Sequence, residues 1–149
     1  MTSGQSILLV EDNDDDAELT LMAFKEANIL NPLIRIDDGV EAVDYLLGRG
    51  KHAGRACENL PAVVLLDLNL PRLGGIEVLA AIRGHARTRH LPVVVLTSSS
   101  DDRDRLGAYA NRANSYVQKP VDHERFVTAA RQLGLYWTLL NLPAPASVP

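Results

Sequence analysis

The chain reads as an α/β domain, a doubly wound, five-stranded parallel sheet with helices on both faces. Three observations predict it. Five short β-type runs alternate with helical patterns, the order that gives crossover connections and a parallel sheet. Three of the runs are almost wholly apolar, as strands buried on both faces are. Acidic or hydroxyl residues close those runs, at the carboxyl ends where open sheets of this kind do their chemistry. At 149 residues the chain is the size of one domain with a substantial core.

The first run is Ser6–Val10, closed by Glu11-Asp12. A helix is expected after Asn13, whose side chain can cap it, and the acids that follow suit the helix dipole. Ala17, Leu21 and Phe24 supply its apolar stripe. Leu33–Ile36 is short and mixed, which places it nearer a sheet edge. The second helix spans Gly39–Gly48 and buries Val40, Val43 and Leu47. Arg49–Leu60 is a long, partly basic connection that suits either a surface contact or a tolerated insertion. Ala62–Leu66 is the third run, ended by Asp67, and Ile76, Leu79 and Ile82 mark the third helix. Pro92–Leu96, closed by Thr97, is the fourth run, followed by a helix over Asp101–Asn111. Ser115–Val117 is again short and mixed, and the fifth helix begins after Asp122.

Phe126, Ala130, Leu133 and Trp137 form one stripe that docks this last helix. Leu135, Tyr136, Leu139, Leu140 and Leu142 add apolar surface beyond what one docked helix buries. That surplus predicts a subunit contact, most simply a two-fold homodimer through Leu135, Tyr136, Trp137, Leu139 and Leu140.

Composition narrows the function. The 46% hydrophobic and 23% charged residues are those of a soluble globular protein, and no run approaches the roughly 20 apolar residues of a membrane span. The amino terminus lacks a secretory pattern, and a single cysteine, Cys57, cannot form an internal disulfide; both fit the cytoplasm, with Cys57 a bystander loop thiol. The net charge of −4 is local: six of the 19 acids precede Lys25, leaving 13 against 15 bases elsewhere. Dispersed bases and few aromatics give no nucleic-acid surface. The four histidines lack metal-ligand spacing and read as solvated, and Asp14–Asp16 read as helix-start residues.

With Asp12 and Asp67 at the carboxyl ends of adjacent strands, their carboxylates converge and call for a hard cation such as Mg²⁺. Glu11 can orient Asp12 or metal-bound water, and the backbone carbonyl of Asn69 can supply a further oxygen. An aspartate beside Mg²⁺ and a lysine is a phosphoryl acceptor: Asp67 attacks, while Lys119 and the cation neutralise the phosphoryl oxygens. The Thr97 hydroxyl can donate to that group, Ser98 is small enough to leave the crevice open, and a cis Lys119–Pro120 bond would aim the lysine inward.

The set Glu11-Asp12, Asp67 with Pro71 and Gly75, Thr97-Ser98 and Lys119-Pro120 resembles the receiver domain of two-component response regulators, over about Ile7–Leu133. The resemblance implies a flavodoxin-like sheet of order 2-1-3-4-5 and phosphorylation of Asp67 by a sensor histidine kinase. It further implies Mg²⁺ on Asp12, Asp67 and the Asn69 carbonyl with Glu11 assisting, and a switch through Thr97 and Tyr116. Asn69 and Ser99 stand at the two positions that set acyl-phosphate lifetime in that family. Gly39-Val40-Glu41-Ala42, the long connection and the Tyr136-Trp137 tail are similar to the single-domain regulators paired with phytochrome-type kinases.

Two rival readings fail on particular residues. An aspartyl-phosphate hydrolase would want an acid/base aspartate two residues past Asp67, where Asn69 stands. A flavin-binding protein would need a phosphate-cradling loop after the first strand, and here that loop is acidic. The expectation is therefore one receiver domain over 1–149, with a core of about 6–134 and an extension of about 135–149. It catalyses only its own modification, carries no output domain, and signals through the kinase and a downstream or phosphotransfer protein. A phosphate sink, a relay intermediate and a non-phosphorylated scaffold are the alternatives. Ending the chain before Leu135 is expected to halve the mass measured in solution; an unchanged mass would exclude the tail as the dimer contact.

Overall fold

Ile7–Val10, four consecutive buried apolar residues, form β1 at the centre of the sheet. This computed structural model describes residues 5–54, 60–98, 101–119 and 123–135. Cys57, Ser99, Pro120, Asp122, Tyr136, Trp137, Leu139, Leu140 and Leu142 lie outside them, as do the side chains of Leu133 and Leu135. The remaining strands are β2 (Leu33–Ile36), β3 (Val63–Leu66), β4 (Val93–Thr97) and β5 (Ser115–Gln118). The helices are α1 (Asp14–Glu26), α2 (Gly39–Leu47), α3 (Gly75–Gly84), α4 (Asp102–Ala110) and α5 (His123–Leu135). All strands are parallel in the order β2-β1-β3-β4-β5, so the apolar runs are central and the two mixed runs are edges, as expected.

Alternation along the strands builds two cores. Leu8, Val10, Val64, Leu66, Val93 and Val95 face α2, α3 and α4 on one side. Ile7, Leu9, Val63 and Leu65 face α1 and α5 on the other, where Phe24 and Phe126 meet edge to face at 6.5 Å. Each fully buried leucine or valine contributes about 1.5–3 kcal/mol of transfer free energy.

The helix faces differ in detail from the expected stripes. In α1 the small residues Ala17, Thr20 and Ala23 pack inward with Phe24, and Leu21 is exposed beside Leu19 and Met22. Small residues let α1 lie close to the sheet, which turns its long apolar side chains outward. In α2 the buried face centres on Ala42, Val43, Tyr45 and Leu46, with Val40 and Leu47 only half-buried. The connection after α2 opens with a short 3₁₀ turn, Gly50–His52. His52 is not a solvated surface residue: it sits 3.2 Å from the Glu41 carboxylate and packs edge-on against Tyr45.

Arg83, near the end of α3, closes the amino-terminal end of the sheet. Its guanidinium donates to the carbonyl oxygens of Arg89, Leu91, Asn111 and Arg112 and to Asn114 Oδ1. Asn114 Oδ1 in turn accepts from the Val93 N–H at 2.8 Å. Burial lowers the pKa of this arginine, yet its fixed fork of donors suits a set of carbonyls that no lysine could match. Arg83→Ala should cost about 2 kcal/mol in urea unfolding while leaving reactions at Asp67 unchanged. A wild-type unfolding midpoint would show that water replaces the clamp without loss.

Candidate functional site

Strand register brings the acidic residues together. Val10 lies level with Leu66, so Glu11 and Asp67 leave the sheet side by side, and the Asp67 N–H donates to the Val10 carbonyl at 3.0 Å. Carboxylate oxygens of Glu11, Asp12 and Asp67 all lie within 4.8 Å of one another. Glu11 is only 1% exposed and Asp67 is buried, whereas Asp12 faces solvent. Asn69 is exposed two residues on, its N–H donating to Asp67 Oδ1 at 3.3 Å. These are hard oxygen donors with one open side, the set that suits an octahedral cation retaining several waters.

Lys119 supplies the opposing charge. It follows β5, where its backbone N–H donates to the Thr97 carbonyl at 2.7 Å. Its ammonium is 2.6 Å from Glu11 Oε1, 2.8 Å from Asp16 Oδ2 and 3.5 Å from Asp67 Oδ2. Thr97 is wholly buried at the end of β4, and Tyr116 is half-buried in β5, tilted against Tyr109 of α4 at 6.5 Å. The sequence-predicted residues therefore gather at one end of the sheet, with Tyr116 one strand position inside it.

The first-turn acids do more than begin a helix. Asn13 caps α1, its side chain accepting from the Asp16 N–H. Successive helical residues are about 100° apart, so Asp14 and Asp16 point to opposite sides. Asp14 pairs with Arg35 of β2 at 2.8 Å, and Asp16 pairs with Lys119. Arg35 also donates from Nε to the Glu11 carbonyl at 3.0 Å, holding the β1–α1 loop. Sequence reasoning missed both contacts. The spacing of Asp16, one turn beyond Asp12, was the available signal for its pairing with Lys119; nothing in the sequence signals the pairing of Asp14 with Arg35.

Close packing fixes the loop after Asp67. A Cβ on Gly75 would overlap the Asp67 carbonyl oxygen, so the start of α3 reaches the end of β3 only through glycine. A Cβ on Gly39 would overlap the Leu73 carbonyl in the same way, and the Gly39 N–H donates to the Pro71 carbonyl. Asp38 caps α2 through the Glu41 N–H and takes the Arg72 guanidinium. Its carboxyl lies below the usual range, chiefly because of Arg72.

Burial pushes the Glu11 carboxyl up to about 7, against the pull of the Lys119 hydrogen bond and with added repulsion from Asp67. For Lys119, burial works to lower the pKa, but Asp16, Glu11 and Asp67 outweigh it and the net shift is upward. Lys119 thus stays cationic, while Glu11 shares that cation with two other carboxylates. Glu11 holds its proton more tightly in the folded chain than at its ordinary 4.5, so folded protein carries the extra proton between 4.5 and about 7. Stability of chelator-treated protein should fall as pH rises through that window, and Glu11→Gln should remove the slope. The same slope in the Gln variant would assign it to other groups.

Comparisons with known proteins agree with this geometry. A family model described as the response regulator receiver domain matches residues 7–131. FilR2 of Methanothrix harundinacea is 42% identical over 94% of this chain and 88% of its own. Response regulator Rcp1 of Synechocystis is 34% identical over 93% and 92%. The structure of its Mn²⁺-bound form superposes with a TM-score of 0.80 at 31% identity, over 95% of this chain and 99% of that one. The bacteriophytochrome response regulator RtBRR is 44% identical with a TM-score of 0.78, over 97% and 86%. No helix among the described residues is long and apolar enough to cross a membrane.

Proposed function

The chain belongs to the response regulator receiver domain family, and from that premise we propose that it is a phosphoacceptor switch of a two-component system. Asp67 is the acceptor, and a sensor histidine kinase, in the first instance a bacterial phytochrome, is the donor. The single observation that carries the reading is the meeting of Glu11, Asp12 and Asp67 with the Lys119 ammonium at one end of the sheet. Similarity to Rcp1 and RtBRR supports the phytochrome pairing. Leu19 and Met22, 52% and 47% exposed on α1 beside the site, offer the kinase an apolar contact.

In the transfer, an Asp67 oxygen forms a bond to phosphorus as the P–N bond of the donor phosphohistidine breaks. The electron pair stays on the imidazole nitrogen, which takes up a proton. Glu11, Asp12, Asp67 and the Asn69 carbonyl would hold Mg²⁺, which when bound offsets the charge gathering on the phosphoryl oxygens. Lys119 binds one of those oxygens, and the Thr97 hydroxyl turns to another. The new charge shifts an existing inactive–active equilibrium, with Tyr116 following Thr97. The protein modifies itself and turns over no separate substrate. Its output is protein–protein contact in the cytoplasm as a homodimer.

Intact mass after incubation with acetyl phosphate and Mg²⁺ tests the acceptor. Wild type should gain one phosphoryl group, Asp67→Asn none, and EDTA should prevent the gain in wild type. Equal labelling of both proteins would rule out Asp67.

A further inference from the structure

Three features lie outside the proposed roles: the Arg83 clamp, the His52–Glu41 contact, and the ion pair between Asp16 and Lys119. The third bears on the reaction itself. An ammonium has three donors. Two of those on Lys119 are spent on Glu11 and Asp16 at 2.6 and 2.8 Å, and the acceptor Asp67 receives only a long contact of 3.5 Å. Asp16 is anchored to deliver that pull, its N–H bound to Asn13 Oδ1 and its carbonyl accepting from the Thr20 hydroxyl. Its carboxylate stands outside the group formed by Glu11, Asp12 and Asp67.

The two carboxylates that hold Lys119 are not equivalent. Glu11 is 1% exposed, so abandoning it would leave a buried charge without its partner. Asp16 is 36% exposed and borders a cleft of about 290 Å³ between α1, β4 and α5, so water can replace the lysine there. When Lys119 moves to a phosphoryl oxygen, the bond to Asp16 is the one that yields.

Resting on the phosphoacceptor reading, we infer that Asp16 is a positioning residue for phosphoryl acceptance: it draws Lys119 toward α1 and opposes its engagement with the group on Asp67. Asp16 thereby weakens the phosphorylated form and favours its reversal. Asp14, the neighbouring first-turn acid, is committed to Arg35 on the far side and cannot substitute.

The test uses the full chain in saturating Mg²⁺, with beryllofluoride as the phosphoryl mimic and calorimetric affinities. Asp16→Asn should bind the mimic about threefold to tenfold more tightly than wild type, the range expected for releasing a partly exposed charged hydrogen bond. Asp16→Glu should restore wild-type affinity, and Mg²⁺ affinity alone should stay within about twofold. In a Lys119→Ala background the Asp16→Asn gain should vanish, because the effect passes through the lysine. Weaker or unchanged binding by Asp16→Asn would overturn the inference, and so would an equal gain without Lys119, which would indicate a general field effect. If Lys119→Ala binds too weakly to measure, the sign of the single-variant change decides. Absence of binding by wild type would instead remove the acceptor reading, and this inference with it.

Discussion

Parallel register at the carboxyl ends of β1 and β3 places buried Glu11 and Asp67 side by side, with Asp12 at their open edge. Like charges so close and so poorly hydrated are costly, and the architecture of this end follows from that cost. Lys119 must be cationic and almost enclosed, 13% exposed, to offset them. Arg35 must reach across from β2 to steady the loop that carries Glu11. On the side facing solvent through Asp12, a divalent cation would add to that offset. Any further negative charge placed here would meet the same shortage of compensation.

The loop after Asp67 ties this end of the sheet to more distant parts. Gly75 seats α3 on the Asp67 carbonyl, Gly39 seats α2 on Leu73, and the Asp38–Arg72 pair fastens α2 to the same loop. Glu41, one turn into α2, then receives Lys51 and His52 from the following connection. A continuous set of packed and charged contacts therefore runs from the end of β3 to the segment after α2. Arg72 adopts a left-handed backbone at φ 66°, a conformation that a non-glycine residue keeps only where its surroundings hold it.

The sheet and the main site residues were legible because their signals are local or serial. Strand burial shows in apolar runs, edge position in mixed ones, and the site in side chains that close successive runs. Helix faces were less legible where two stripes compete: Ala17, Leu21 and Phe24 fit the period, but close packing selected Thr20 and Ala23 over Leu21. Long-range polar partnerships were least legible. Asp16 and Lys119 are 103 residues apart and meet only because α1 and the end of β5 share one side of the sheet. His52 looked like a surface residue because its partners, Glu41 and Tyr45, belong to the preceding helix face.

The Arg83 clamp gives the fold a mechanical polarity. It pins the segments that enter β4 and β5 to α3, while the opposite ends of those strands carry Thr97 and Lys119. The two strands are thus held at both ends by different means, by one guanidinium on backbone carbonyls where the chain enters them and by the ion pairs of Lys119 where β5 ends. A change of charge at Asp67 would bear on the end held by ion pairs, which can exchange partners, and leave the end held by Arg83 on its carbonyls as it is.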